Sequence, residues 1–582
     1  MPRDDMGQKV TSNPLMLSMV ASVYELRQGV GMPATVAELY ATASDAMLAR
    51  GGVVTPELTR LLQRIFFEAH VAQRRLIEDR QLDEAALGLE APEALAKIRA
   101  EAAAMPFEPF GGRAEMGHYV EVTKKGEDKG RRGVITADDK SSRPSYKVTF
   151  ADGTVSGWLA FNRLCSSGLV GETAVLQRAM AARAPAVRAA CEARLSVALR
   201  TALRTVRERV LVDALPLLSL WQSEPLQLQS SHLSFQEYFA AIALCDEGTE
   251  LSGTPPWQWP AWWANTVKLG AEIPGDRFGR GLLRAAGVTG DTLDLSQKLG
   301  GDRPTVRRVL AAVVASAGEL ITLNLSKNEL DAEDARALAP ALTKTTLARV
   351  DMRGNKIAGN GAAQLSTAVL GNLKIEMFNE IPLKEMRADS LRRLDLNGKR
   401  VGVEGGMVVA GLIPVMGALT SVKLRGNKLG DEGWGAIFAA ICGNKDSKIM
   451  SMDASCENIS PAGVKLIAEA LRTSVTGALT SVELSGNKLG GEGWGAIFAA
   501  ICGNKDSKIM SVDASGENIG PAGVKLIAEA LRTSVTGGLM SLNLSRNQLC
   551  GLDDLRRGTF TAEGITEFAD ALRVNGALTE VR

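Results

Sequence analysis

Residues 418–477 read ALTSVKLRGNKLGDEGWGAIFAAICGNKDSKIMSMDASCENISPAGVKLIAEALRTSVTG, and residues 478–537 repeat them almost verbatim. Six of sixty positions differ: Lys423/Glu483, Arg425/Ser485, Asp431/Gly491, Met452/Val512, Cys456/Gly516 and Ser460/Gly520. Each block divides again into two thirty-residue units, so thirty is the period that the fold must explain.

Working outward, each unit carries L-x-x-L-x-L-x-x-N-x-L followed by an amphipathic helix. The first instance is Leu320, Leu323, Leu325, Asn328 and Leu330; the second is Leu347, Val350, Met352, Asn355 and Ile357. The pattern returns at Leu391, Leu419, Ile449, Leu479, Ile509 and Leu539, with a stub at Leu578 and Val581. The alternating apolar residues predict a short strand whose inward side chains stack on the next coil. The Asn at the bend can satisfy backbone groups that a turning chain leaves unpaired. Helix faces such as Trp434, Ile437, Ile441 and Val464, Ile467, Leu471 recur at i, i+3, i+7 and cover the strands. This spacing is the leucine-rich-repeat signature, and the long, helix-containing unit resembles the ribonuclease-inhibitor class. That resemblance implies an α/β horseshoe with its strands on the concave side. Lys399, Glu457 and Glu517 stand where Asn is expected, which predicts an imperfect Asn ladder. The span from Leu347 to Leu391 is too long for one unit and predicts a degenerate one around Ile375 and Met377.

The composition is that of a globular chain of several domains: 582 residues, 45% hydrophobic and 23% charged. A net charge of +1 argues against a protein-wide pull toward nucleic acid or membrane. Seven scattered cysteines form no C-x-x-C and no Cys/His cluster, so no metal or disulfide framework is expected; a reducing, cytoplasmic location is. MPRDDMGQKVTSNPL lacks signal-peptide architecture. The most apolar run, Gly406–Leu419, is too short to span a membrane and contains Pro414.

At the N-terminal end, Thr11 to Asn13 can cap a helix carrying Leu17, Val20 and Tyr24 inward, and Thr35 begins another after the Gly29–Pro33 break. A further helical pattern fills 57–90, with His70 packed or on the surface among Phe66, Phe67 and Val71. Residues 106–112 read as a linker. Period-two runs then follow at Tyr119–Val122, Gly133–Thr136, Tyr146–Phe150 and Val155–Leu159, separated by turn residues, and predict a small antiparallel barrel of SH3-like type. Helical sequence resumes at 171–212. PPWQWPAWWANTVKLGAEI (255–273) places four of the eight tryptophans within seven residues, which reads as a buried corner.

Two stretches resemble NOD-like receptors, the NACHT-type NTPases that carry leucine-rich repeats. One is N-P-L-M-L followed by M-P-A-T-V-A-E-L-Y; the other is H-L-S-F-Q-E-Y-F-A-A at 232–241. The resemblance covers residues 9–90 and 170–582. It implies helical and winged-helix parts split by the barrel, which the usual family pattern lacks. It also implies that Pro14 would pack on adenine and His232 would reach the β-phosphate of ADP. The barrel's V-x-V…K-G-R-R-G-V-I resembles KOW and Tudor-like modules, for which Lys124, Lys125, Lys129, Arg131 and Arg132 would form an RNA-binding loop. Glu127 and Asp128 in the same loop weaken that reading.

No G-x-x-x-x-G-K-[ST] phosphate loop occurs in the chain, so Pro14 and His232 would be outlying contacts of a missing nucleotide site. Three histidines far apart in sequence supply no nucleophile–base constellation, and neither catalysis nor a cofactor is expected. The expected architecture is multidomain α/β. It comprises helical residues 1–105, the barrel at 113–168, the winged-helix remainder and helical domain at 169–318, and the repeat horseshoe at 319–582. A protein ligand is expected on the concave face, on Arg349, Asp351, Arg353, Arg393, Asp395, Lys423, Arg425, Asp453, Glu483, Asp513 and Asn543. The expected role is that of a non-catalytic recognition scaffold. The alternatives are a fragment of an ATP-dependent switch receptor or an RNA-associated adaptor.

Overall fold

The structure, a computed structural model, describes Met19 and residues 33–103, 108–109, 116, 118–123, 128–140, 145–150, 154–160, 162, 164–170, 184–246, 249, 251, 253–475, 478–552 and 557–582. The chain forms two compact units, Met1–Ala243 and Leu244–Arg582. The division falls inside the segment 169–318, for which the sequence suggested a winged-helix remainder followed by a helical domain.

In the first unit, helix α1 (Val36–Arg50) starts where the sequence predicts. Thr35 accepts from the Glu38 amide, and the Glu38 side chain reaches back to the Thr35 amide. Helix α2 (Pro56–Val71) buries Leu58, Leu61, Leu62, Ile65, Phe66, Phe67 and His70. Strand β1 (Leu76–Glu78) and helices α3 (Asp79–Glu90) and α4 (Pro92–Ala103) follow.

The chain then leaves for an antiparallel sheet: β2 (Glu108–Pro109), β3 (His118–Val122), β4 (Arg132–Asp138), β5 (Ser145–Phe150), β6 (Leu159–Ala160) and β7 (Leu164–Val170). Its order is β2-β7-β3-β4-β5-β6, over a core of Val120, Val122, Ile135, Tyr146, Val148, Phe150, Leu159 and Leu164. Three of the four expected strands are present. Val155 makes only an isolated bridge to Thr149. Two strands were not anticipated. The supposed linker contains β2, and β7 has the unpromising sequence LCSSGLV, with two serines and a glycine where strand formers are expected.

After the sheet come helix α5 (Val197–Leu211), the hairpin β8 (Leu218–Gln222) and β9 (Gln227–Ser230), and helix α6 (Leu233–Leu244). Strand β1 pairs with β9 through Ile77↔Leu228, giving the order β1-β9-β8 and joining the chain on either side of the excursion. An ion-pair network centred on the buried Asp83 ties the same two ends together. Asp79 meets Arg188 at 2.6 Å and Arg207 at 2.7 Å, while Asp83 meets Arg207 at 2.7 Å and Arg188 at 3.1 Å. Burial works against the Asp79 charge, but the two guanidiniums outweigh it and hold its carboxyl below the ordinary range.

The second unit opens on the tryptophan corner. Trp257, Trp259 and Trp263 are buried, with Trp259 and Trp263 stacked at 4.0 Å and the Trp259 indole donating to the Thr254 carbonyl at 3.0 Å. Parallel strands then accumulate one per coil: β10 (Thr292–Asp294), β11 (Thr322–Asn324), β12 (Arg349–Asp351) and β13 (Met377–Phe378), with β14 (Ile381–Pro382) folded back antiparallel on β13. A second, uninterrupted sheet runs β15 (Arg393–Asp395), β16 (Ser421–Lys423), β17 (Ser451–Asp453), β18 (Ser481–Glu483), β19 (Ser511–Asp513), β20 (Ser541–Asn543) and β21 (Glu580–Val581). The ladder therefore begins one coil before Glu319. Leu293 and Leu295 fit the repeat, but Lys298 stands in the Asn position and hides that coil from the pattern.

Glu457 and Glu517 do not interrupt the ladder, contrary to expectation. Asn487 accepts the amide of Glu457 and donates to the carbonyls of Ala454 and Leu484. Glu457 in turn accepts the amides of Asn427 and Leu429, and Glu517 those of Asn487 and Leu489. A carboxylate one methylene longer than Asn reaches the same amides and offers two acceptors. Burial pushes the Glu457 carboxyl up from its ordinary range, and the two amides hold it back. Lys399 is a real gap: its ammonium lies on the surface, 3.8 Å from Glu380.

Candidate functional site

The outward side chains of β15–β21 form columns set by register. One column runs Arg393, Ser421, Ser451, Ser481, Ser511, Ser541, and its neighbour runs Asp395, Lys423, Asp453, Glu483, Asp513, Asn543. Two residues past each strand stand Asn397, Arg425, Ser455, Ser485, Ser515 and Ser545. The apolar residue between each outward pair is buried: Leu394, Val422, Met452, Val482, Val512 and Leu542. The strand alternation foreseen from sequence thus puts these expected residues on one open face.

The residues on that face differ in what they are free to do. Arg353 is engaged within the chain: its guanidinium meets Asp351 at 2.7 Å and Glu380 at 3.4 Å, and donates to the Lys399 carbonyl at 3.3 Å. Its hydrogen bond to Asp351 raises its pKa further. Arg353 and Asp351 therefore fasten neighbouring coils, and sequence spacing could not show this because Glu380 lies in the degenerate unit. Arg349, Arg393, Lys423 and Arg425 are exposed and have no ion-pair partner among the described residues. Asp453 and Asp513 accept from the amides of Ser455 and Ser515, and Asp513 also accepts from Asn543 at 3.0 Å. Partial burial raises the Glu483 carboxyl, and the flanking Asp453 and Asp513 raise it further.

Sequence reading missed a set of exposed methionines one residue ahead of the strands that carry this face. Met450, Met510 and Met540 precede strands β17, β19 and β20 and are 49%, 38% and 41% exposed. Thr480 stands between the first two and turns its hydroxyl onto the Met450 carbonyl. A methionine recurring just ahead of three of the strands was the available signal.

The other candidate residues do not assemble into a site. In the six-stranded sheet, Arg131 meets Asp128 at 2.7 Å and lies over the Phe150 ring at 3.7 Å, while Arg132 meets Glu121 at 2.8 Å. Both guanidiniums are taken up within the sheet, which weakens the expected RNA loop. Lys129 stays exposed in the turn, and Lys124 and Lys125 lie outside the described residues. His232 precedes α6 and caps it: its Nδ1 accepts the Ser234 amide at 3.2 Å and contacts the Ser234 hydroxyl. Partial burial of the ring, aided by Arg75, lowers its pKa. Pro14 lies outside the described residues. His70 is fully buried, and burial takes its pKa down to about 3, so it stays neutral in the core. Among the described residues no His/Cys/Asp/Glu group is placed to hold a metal, and no helix is long and apolar enough to cross a membrane.

The family comparison finds the repeats. The Leucine Rich repeat family matches residues 320–339, 419–438 and 479–498. Among solved structures, the leucine-rich repeat-containing protein LegL7 from Legionella pneumophila is similar at 20% identity, over 57% of this chain and 88% of that one, with a TM-score of 0.24. No match was found among curated proteins. The C-terminal part of this chain is built of leucine-rich repeats.

Proposed function

We propose that the chain is a non-catalytic recognition scaffold that holds a protein partner on the open face of β15–β21. The observation that carries this reading is the uninterrupted seven-stranded ladder with short, outward serines on β16–β20. Such a face is held rigid by ladder hydrogen bonds and by the Asn/Glu column beneath it, so little ordering entropy is lost on binding. The first unit reads as a winged helix split by an SH3-like insertion, as in the NOD-like receptor resemblance. The order α2–β1–α3, then α5–β8–β9, with sheet order β1-β9-β8, supports that reading.

Partner capture from source-cell lysate tests the scaffold reading, comparing the native chain with a Ser481→Trp/Ser511→Trp variant. Outward bulk should remove the partner and leave the thermal midpoint unchanged; equal recovery from both would sink the proposal. Calorimetry with ADP and ATP is expected to give no binding. Micromolar binding that vanishes in His232→Ala would restore the nucleotide-switch alternative.

A further inference from the structure

The open face is unevenly charged along the ladder. Arg393, Lys423 and Arg425 outnumber Asp395 on β15–β16, and Asp453, Glu483 and Asp513 succeed one another on β17, β18 and β19 with no cation among them. None of these has an ion-pair partner among the described residues, unlike Arg353 on the neighbouring sheet. Between the acidic column and the methionine row lies a floor of Ser451, Ser481 and Ser511, whose short side chains leave room for an incoming chain.

Resting on the scaffold reading, we propose that this face takes a charge-segregated polypeptide segment: acidic residues against Arg393, Lys423 and Arg425, basic residues against Asp453, Glu483 and Asp513, and an apolar side chain on the Met450/Met510/Met540 row. A uniformly basic segment would meet repulsion at the arginine end, and a uniformly acidic one at the other. A neutral apolar segment would leave both charge groups desolvated without partners. Strands lie about 4.8 Å apart, so Lys423 and Glu483, two strands apart, stand about 10 Å apart along the ladder. That span matches about seven residues of helix or about three extended residues. Methionine suits the apolar side of such a contact because its thioether adapts to varied shapes.

The duplication adds independent support. The two blocks agree at fifty-four of sixty positions, yet the pair that sets the sign of this face reverses from Lys423/Arg425 to Glu483/Ser485. Had both blocks kept the Lys/Arg pair, cations and anions would alternate along the ladder. The reversal is what gathers the acids into one run.

The test pans a phage-displayed random peptide library on the full chain, then measures the enriched peptides by fluorescence anisotropy at low and high salt. The expected peptides carry an acidic block and a basic block separated by an apolar residue, and bind more weakly as salt rises. Lys423→Glu/Arg425→Ser should weaken them about tenfold, with Glu483→Lys doing the same through the basic block. Enrichment of peptides without segregated charge, no enrichment, or binding unmoved by either variant would overturn the proposal. The Ser481→Trp/Ser511→Trp variant separates the two readings. Peptides of any charge pattern lost on it leave the scaffold reading standing. Peptides that persist on it remove both.

Discussion

The seam between the two sheets and the duplicated blocks solve one problem in different ways. In the blocks, each coil's bend amides are taken up by an Asn or Glu of the next coil, and translation by one repeat supplies the next acceptor. At the seam the translation fails: β14 folds back, and β14 and β15 do not pair. There a single buried amide, Asn379, accepts the Met352 amide at 2.7 Å and donates to the Val401 carbonyl at 2.9 Å and to Glu404 at 3.0 Å. Asn379 and Glu380 both adopt positive φ, 49° and 68°. Repetition spreads backbone satisfaction over many equivalent side chains, and its loss hands the burden to a few unlike ones: Asn379, and Arg387, whose guanidinium donates to the carbonyls of Ile375, Val369, Leu370 and Asn372.

The largest effect should therefore come from Asn379→Ala, which strands several buried groups at once. We expect a loss of about 3–5 kcal/mol in urea unfolding, with the transition splitting in two as the sheets uncouple. A single transition with a small loss would mean that the seam is held by packing instead.

Next is Glu404, a buried carboxyl whose pKa burial raises to about 7 against the backbone and Asn379 hydrogen bonds that lower it. The unfolded chain releases this proton near the ordinary value of 4.5, whereas the folded chain keeps it until about 7. Stability should thus fall as pH rises between these values and level off above. Glu404→Gln should flatten that window and gain up to about 3 kcal/mol at alkaline pH. Parallel pH profiles for the two proteins would show that the carboxyl does not titrate there.

Within the blocks the effects are smaller. Asp431 accepts the Ser460 amide at 2.9 Å and contacts its hydroxyl, while the second block has Gly491 and Gly520 at these positions. Two of the six differences are thus one contacting pair. Asp431→Gly and Ser460→Gly should each cost about 1 kcal/mol, with a coupling of similar size in a double-mutant cycle. Strict additivity would show the pair to be independent. A β-carbon at Gly491 would fall 2.5 Å from the Gly523 Cα, so the second block closes helix on helix where the first keeps a hydrogen bond.

The smallest effect is a gain. Cys456 is exposed at φ 57°, where the second block has Gly516 at φ 65°. Cys456→Gly should raise stability by about 1 kcal/mol, since only glycine adopts that conformation without steric cost. An unchanged thermal midpoint would show that the contact between Cys456 and its neighbours offsets the strain.

Much of this could be read from the chain. The thirty-residue period gave the strands, the inward leucines and the open-face columns, because stacked coils must repeat their buried contacts. The Thr35–Glu38 cap and the tryptophan corner were readable because each depends on neighbours in sequence. Strand β7, the coil at β10 and the methionine row were not, since their local residues carry weak strand or repeat preference and gain their role from pairing. The engagement of Arg131, Arg132 and Arg353 was equally hidden, because their partners lie at bends that spacing does not place.

The sequence by itself determined that leucine-rich repeats would stack and which positions would face out, since burial at a fixed period leaves little choice. Only the tertiary structure decided where the ladder breaks, that Glu can stand in for Asn within it, and which outward charges remain unpaired. Those outcomes depend on distances between residues of different coils, and a one-dimensional pattern does not contain them.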